Sequence, residues 1–419
     1  MMLKEVDHKL NCRLCLSDKL SSALELVPTP IGDEYVSRAQ LDTEQKCYPL
    51  TVYQCDNCAH AQLLDVISPE ILFRNYTFVT SSSLGLVNHF KSYAEHVIER
   101  FRLAAPGLVV EIGSNDGSLL RFFKDKGFET VGIDPALKIA EAATASGILT
   151  LPQFFTEAVA HDIVSEHGKA KLVCANNVYA HADDLREITR GVKAVLAPEG
   201  IFVFEVSYLI DILEKLLFDT IYHEHLCYHS ILPLTKFFDS LGLNLFDVER
   251  IGTKGGSIRC FVQHKNGPHQ EASILNELLT LEAQKGIHTL EPFEKLSGHL
   301  QKCIVELHAL LDAYKAAGKK IAGFGASVTA TTLLYHFSLQ AYLSCIVDDN
   351  ESKNGLFSPG AHIPVLSSSC LYDTEHKPDV VVILAWAYSE NILKKHMDFI
   401  KHGGIVIVPL PAVKTHSAS

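Results

Sequence analysis

Short, almost wholly apolar runs punctuate the middle of the chain: Leu108-Val-Val-Glu-Ile112, Val131-Gly-Ile133, Leu172-Val-Cys-Ala175 and Ile201-Phe-Val-Phe204. Runs of this length without a polar face predict strands buried on both sides, as in a parallel sheet. Between them apolar residues recur at helical spacing, which predicts helices near 136–146, 156–166 and 183–196 and a further strand near 148–151. Strand and helix alternate, so the expected architecture is α/β with a doubly wound sheet. Two later runs, near 244–250 and 256–263, predict an antiparallel pair that closes that sheet. The alternation then begins again. Residues 270–320 read as helix, interrupted at Gly286 and Pro292, with one long helix from near 293. Beyond it, Lys320-Ile-Ala-Gly-Phe-Gly-Ala-Ser327 gives a strand and a glycine turn, and strands are expected near 343–348, 380–385 and 405–408. This is a second, smaller Rossmann-like sheet.

Each sheet carries glycines at the carboxyl end of its first strand, where a backbone can pass close under a ligand. In the first, Glu111-Ile-Gly-Ser-Asn-Asp-Gly117 lacks the G-x-G-x-x-G spacing that seats a pyrophosphate on a helix. Asp134 ends the second strand, where its carboxylate can accept both hydroxyls of a ribose. Asn176-Asn-Val-Tyr-Ala-His181 ends the fourth strand and brings His181 to the same edge. In the second sheet, Gly323-x-Gly325-Ala feeds a helix N-terminus, a place that accepts phosphate.

Composition narrows the classes. The net charge of −12 and the absence of any basic block exclude a nucleic-acid surface. No apolar run approaches the roughly 18 residues of a membrane span. The N-terminal Met-Met-Leu-Lys-Glu-Val-Asp lacks the apolar core of a signal peptide, so a cytoplasmic location is expected and no obligatory protein partner is evident. Of eleven cysteines, seven are scattered singly and read as reduced thiols. The other four form two pairs, Cys12-Arg-Leu-Cys15 and Cys55-Asp-Asn-Cys58, separated by 39 residues. Two C-x-x-C turns supply the four-thiolate set of structural zinc, whereas a redox reading would need a thioredoxin-like unit that is not there. The expected divisions are a zinc-binding domain at 1–75, a nucleotide-binding core at 76–265 and the second Rossmann-like domain at 266–419.

One stretch concentrates groups that hold or move protons: Asp219-Thr-Ile-Tyr-His-Glu-His-Leu-Cys-Tyr-His-Ser230. Tyr222, His223, Glu224, His225 and Tyr228 fall within seven residues, against the bland alternative of a polar loop over a sheet end.

With these motifs in place the chain resembles the S-adenosylmethionine (SAM)-dependent C-methyltransferases of nucleotide-linked 4-keto-deoxysugars. The resemblance rests on the paired cysteines, Glu111–Gly117, the Ile-Tyr-x-Glu-His run at 221–225 and Ser358-Pro-Gly-Ala-His-Ile-Pro-Val365, and it covers nearly the whole chain. It implies that the central sheet is a class I SAM methyltransferase core, with Gly113, Asn115, Asp134, Phe154 and Asn177 on the donor. It implies His225 as the base that removes a proton next to the C4 ketone, with Glu224, Tyr222, His181 and Tyr76 around the enolate. The second Rossmann-like domain is then expected to take the nucleotide sugar, with Gly325, Lys353 and Ser358 as contacts. Three positions depart from the family pattern: His223 stands where an acidic residue is usual, Lys254 precedes Gly255-Gly256 in place of histidine, and Ala387 replaces a polar residue. Competing readings are a sugar O- or N-methyltransferase, a dinucleotide-dependent dehydrogenase or epimerase, and a non-catalytic sensor of nucleotide sugars. The density of titratable groups at 222–225 argues against the last.

Overall fold

The computed structural model describes residues 5–73, 79–373 and 377–418. The chain forms two compact units. The first is built from the described residues of Met1–Ser21, Gln54–Ile210 and Leu226–His288, the second from those of Ser22–Tyr53, Asp211–His225 and Thr289–Ser419.

The first unit is organised by a seven-stranded sheet. Its strands are β1 (Leu108–Ile112), β2 (Glu129–Ile133), β3 (Thr150–Leu151), β4 (Ala170–Asn176), β5 (Leu196–Ser207), β6 (Leu243–Ile251) and β7 (Ser257–His264). Their order is β3-β2-β1-β4-β5-β7-β6. The first five are parallel, and β7 runs antiparallel to both β5 and β6. All five residues of β1 are buried, as a central parallel strand covered on both faces requires. The order reverses between β1 and β4, which opens a crevice at their carboxyl ends.

Helices cover the sheet: α1 (Leu84–Arg100), α2 (Ser118–Lys124), α3 (Leu137–Ala145), α4 (Glu157–His167), α5 (Leu185–Val195), α6 (Ile231–Ser240) and α7 (Ser273–Lys285). Along α1, Phe90, Tyr93, Ala94 and Val97 form one buried stripe, which packs with Val109, Leu172, Ile201 and Phe261. Side chains accept orphan N–H groups at three of these helix starts: Ser83 from Leu86 at 3.4 Å, Thr156 from Val159 at 3.2 Å and Asp184 from Glu187 at 2.8 Å.

The second unit contains a six-stranded sheet. Its strands are β8 (Ile321–Phe324), β9 (Cys345–Asp348), β10 (Val365–Ser367), β11 (Val380–Ile383), β12 (Ile405–Val408) and β13 (Lys414–His416), in the order β10-β9-β8-β11-β12-β13. Only β13 is antiparallel. Long helix α8 (Glu291–Ala316) starts with proline in its first turn and buries Phe293, Leu296, Leu300, Cys303, Leu307 and Leu311 at helical spacing. Helix α9 (Val328–His336) follows the glycine turn. The inserted segment 22–53 packs on it: Thr331 donates to the Gly32 carbonyl at 2.7 Å, and a Cβ at Gly32 would lie 2.7 Å from Val328. Among the described residues no helix is long and apolar enough to cross a membrane.

Candidate active site

The four paired cysteines converge in the first unit, their sulfurs all within 4.8 Å of one another. Cys12 and Cys58 are 3.6 Å apart, Cys15 and Cys55 3.5 Å. A tetrahedron with Zn–S bonds of about 2.3 Å has edges of roughly 3.8 Å, so the set fits a zinc ion. The two turns are built alike. Leu16 and Ala59, each just past the second cysteine, take left-handed φ of 63° and 66°. Their N–H groups bond back to Cys12 and Cys55, while the N–H groups of those cysteines reach Ser17 and His60. All four positions are filled by thiols, so the site is closed and structural.

The crevice expected to take the donor lies at the carboxyl end of β1. Gly113 holds φ 68°, and a Cβ there would sit 2.3 Å from Val178 Cγ2. Asn115 is also left-handed, and its N–H donates to Asp134 Oδ2 at 2.9 Å. The other oxygen of Asp134 accepts from Ala136 N–H at 2.9 Å. Each carboxylate oxygen keeps a second lone pair for a ribose hydroxyl. Burial raises the Asp134 carboxyl above its ordinary range, against those two N–H bonds. Asn115 Oδ1 in turn accepts from Thr80 N–H at 2.8 Å, and Asp116 from Ser81 N–H at 2.9 Å.

Of the Gln153–Phe155 stretch, Phe155 is buried against Gly191 and Phe154 is half-buried. Asn177 is left-handed at φ 56°, its N–H bonded to the Glu205 carbonyl at 2.9 Å. Two buried groups at this edge escaped the sequence reading. Asn176 leaves both amide atoms, and Glu111 one carboxylate oxygen, without a protein hydrogen bond. Burial, then the carboxylates of Asp134 and Asp116, push the Glu111 carboxyl well above its usual range. A glycine cradle with orphaned polar atoms fits the methyl donor.

His181 ends the turn after β4. Its N–H bonds to the Val178 carbonyl at 2.8 Å and its ring lies 5.9 Å from that of Phe73. Tyr179 anchors the turn: its ring is buried among Phe202, Phe204 and Phe238 and its hydroxyl meets Thr189. Tyr76 lies outside the described residues.

The proton-handling stretch is divided: residues through His225 belong to the second unit, whereas Tyr228 and His229 belong to the first and are buried. A turn closed by the His225 N–H on the Tyr222 carbonyl brings the two ring centroids to 4.1 Å, with the planes tilted by 34°. His225 Nδ1 lies 2.7 Å from the Thr220 carbonyl, and the Tyr222 hydroxyl lies 2.9 Å from Nε2. A carbonyl only accepts, so Nδ1 carries the proton and, in the neutral ring, Nε2 offers its lone pair. Tyr222, Glu224 and His225 are half-buried, whereas His223 is buried, donating from Nε2 to the Tyr48 carbonyl at 3.3 Å. His223 is thus a packed residue, which fits its departure from the family pattern.

Helix α9 carries this loop. Thr332 donates to the Ile221 carbonyl at 3.0 Å, and Phe218 stacks on Phe337. Asp219, unassigned from sequence, is buried and accepts from the Trp386 indole at 2.9 Å. Burial lifts its carboxyl to about 7, opposed by the indole and by Thr329. A lone aspartate before a polar stretch gives no sign of this.

At the second glycine turn, Gly325 holds φ 108° and a Cβ would meet Ala385 at 2.6 Å. The Ala326 N–H is taken by Asp348. Lys353 pairs with Asp33 at 2.8 Å and sits over the Tyr35 ring at 4.2 Å. Ser358 is buried, its Oγ accepting from Ile363 N–H at 3.0 Å inside its own turn. The structure therefore gives Lys353 and Ser358 internal partners, and Gly325 close backbone packing.

The strand order of the first unit and its donor crevice define a SAM-dependent methyltransferase, with SAM and structural zinc as cofactors. Family models agree along the chain: "Putative zinc binding domain" matches residues 12–73, "Methyltransferase domain" 87–248 and "C-methyltransferase C-terminal domain" 252–411. The C-methyltransferase NovU of Streptomyces niveus is 33% identical over 409 residues, 97% of each chain. This chain belongs to the C-methyltransferase family. Among solved structures, a SAM-dependent methyltransferase from Clostridium acetobutylicum aligns with 43% of this chain and 92% of its own at 14% identity and a TM-score of 0.35. The magnesium protoporphyrin IX methyltransferase of Synechocystis with bound SAH aligns with 43% and 83% at 13% identity and 0.33.

Proposed function

We propose that this C-methyltransferase acts in the cytoplasm on an NDP-4-keto-6-deoxy sugar, with dTDP as the nucleotide, and methylates C3 next to the ketone. The observation that carries the reading is the Tyr222–His225 pair, in which Thr220 fixes the tautomer that leaves Nε2 basic. A carbon becomes a nucleophile only after losing a proton α to a carbonyl, and the enolate needs a donor at its oxygen. In the resting arrangement the Tyr222 hydroxyl caps Nε2. When the sugar binds, the hydroxyl turns to the C4 oxygen and Nε2 takes the C3 proton. The C–H electron pair becomes the enolate, whose charge sits on the oxygen facing Tyr222. His181 and Tyr76 add donors, and Glu224 orients the sugar.

SAM, when bound, would supply an electrophilic methyl carbon to the enolate carbon, the C–S bonding pair leaving with the sulfur. Gly113, Asn115, Asp134, Phe154 and Asn177 hold that donor, and the unit bearing Gly325, Lys353 and Ser358 takes the nucleotide. In this reading Lys353 exchanges Asp33 for phosphate. The test is incubation with methyl-labelled SAM and a dTDP-4-keto-6-deoxyhexose, with the product read by mass and NMR. A methyl on C3 is expected. A methyl on oxygen or nitrogen, or on no sugar atom, overturns the assignment.

A further inference from the structure

We infer that the zinc knuckle does more than stabilise the fold: through Arg13 and Asp183 it positions the turn that carries His181. This inference rests on the reading above that His181 acts on the sugar.

Arg13 lies inside the first knuckle, between the ligands Cys12 and Cys15, yet its side chain is only 3% exposed. Its Nε and Nη2 each lie 3.2 Å from Asp183 Oδ1. Nη1 donates to the Gln62 amide oxygen at 3.3 Å and to the Leu63 carbonyl, and the Arg13 N–H donates to the same Gln62 oxygen at 3.0 Å. A return contact runs the other way, from Arg186 Nη1 to the Leu14 carbonyl at 2.8 Å. Lys9 also holds Asp183, at 2.8 Å from its second oxygen. The knuckle thus grips residues 183 and 186, two and five positions past His181. On the other side Cys227 N–H holds the Ala180 carbonyl at 3.0 Å.

The second knuckle serves as an internal control. It makes the same turn with the same backbone bonds, but the residue after its first cysteine, Asp56, is exposed, its carboxylate accepting from the Ser21 hydroxyl at 2.9 Å. A zinc turn therefore does not require a buried charge at that place. Burying a guanidinium carries a desolvation cost that its partners must offset, so a hydrophobic residue would serve folding alone at least as well. What the arginine adds is direction. It fixes the exit of a turn whose entry the sheet already fixes through Asn177 and Tyr179.

The experiment uses full-length Arg13→Gln and Asp183→Asn variants beside wild type, with Asp56→Asn as control. Expected for both variants are an unchanged zinc content by atomic emission, unchanged SAM affinity by calorimetry, and faster amide exchange over 177–186. Misplacing a reacting group by about 1 Å costs on the order of 10²-fold in rate, so kcat should fall by that order while KM holds. Adding His181→Ala to either variant should lower kcat no further than His181→Ala alone. Unchanged exchange and kcat with zinc retained, or losses that multiply with His181→Ala, overturn the inference. If Arg13→Gln loses zinc, Asp183→Asn, outside the knuckle, decides by the same criteria. Full activity of His181→Ala by itself would instead overturn the role given to His181.

Discussion

The Tyr222 hydroxyl lies 2.9 Å from Nε2 of His225, so the nitrogen read as the base is covered by the phenol read as the enolate donor. Both roles require the bond to open on substrate binding. His225→Ala should abolish solvent deuterium exchange at C3, followed by NMR without SAM. Tyr222→Phe keeps the base but removes an oxyanion donor, which typically costs about 10²–10³-fold in kcat. Exchange at the wild-type rate in His225→Ala would sink the assignment.

Asp134 accepts backbone N–H bonds from both Asn115 and Ala136. Asp134→Ala leaves both donors without a partner at a buried place, each costing about 1–3 kcal/mol. The expected result is a lower melting temperature together with loss of SAM binding by calorimetry. Loss of one without the other would separate the loop's scaffold role from its ribose role.

Gly113→Ala should remove SAM binding, since a Cβ at 2.3 Å from Val178 Cγ2 and a φ of 68° both oppose it. Val178→Ala clears the clash but not the backbone conformation, so the double variant should recover part of the lost affinity. Full affinity in Gly113→Ala alone would show that the loop does not cradle the donor.

Asp219 gives a pH test. Its folded carboxyl sits at about 7, above an unfolded value near 3.9. The folded state therefore keeps a proton that the unfolded chain releases. Stability from this group is full below about pH 4, falls as pH rises towards about 7, and is level beyond that. Asp219→Asn can still accept from Trp386 but does not titrate. Its melting temperature should gain on wild type across that window; a constant difference would refute the buried, protonated carboxyl.

A chelator strong enough to strip the site should release one zinc ion per chain, with a fall in melting temperature, because the thiolates alone do not hold two turns together. Ala59→Gly, which suits φ 66° better than alanine, should leave zinc content unchanged and melting temperature equal or higher.

The sequence by itself determined the features that are local. Alternating buried runs and helical stripes specified the strands of the first sheet and four of the six in the second, missing the short strands Val365–Ser367 and Lys414–His416, and glycines marked the turns that need positive φ or close approach. The C-x-x-C pairs and the Tyr222–His225 dyad are three-residue spacings, so their geometry follows from a single turn. Tertiary structure decided what depends on partners far away in the chain. Asp219 meets Trp386 167 residues on, Arg13 meets Asp183 after 170, and Lys353 meets Asp33 across 320. Residues 22–53, which the sequence groups with the cysteines, fold with the second unit. Periodicity reports which face of an element is buried, but not which charge waits on the other side. That is why the Tyr222–His225 contact follows from local spacing, while the burial of Asp219 and the reach of Arg13 do not.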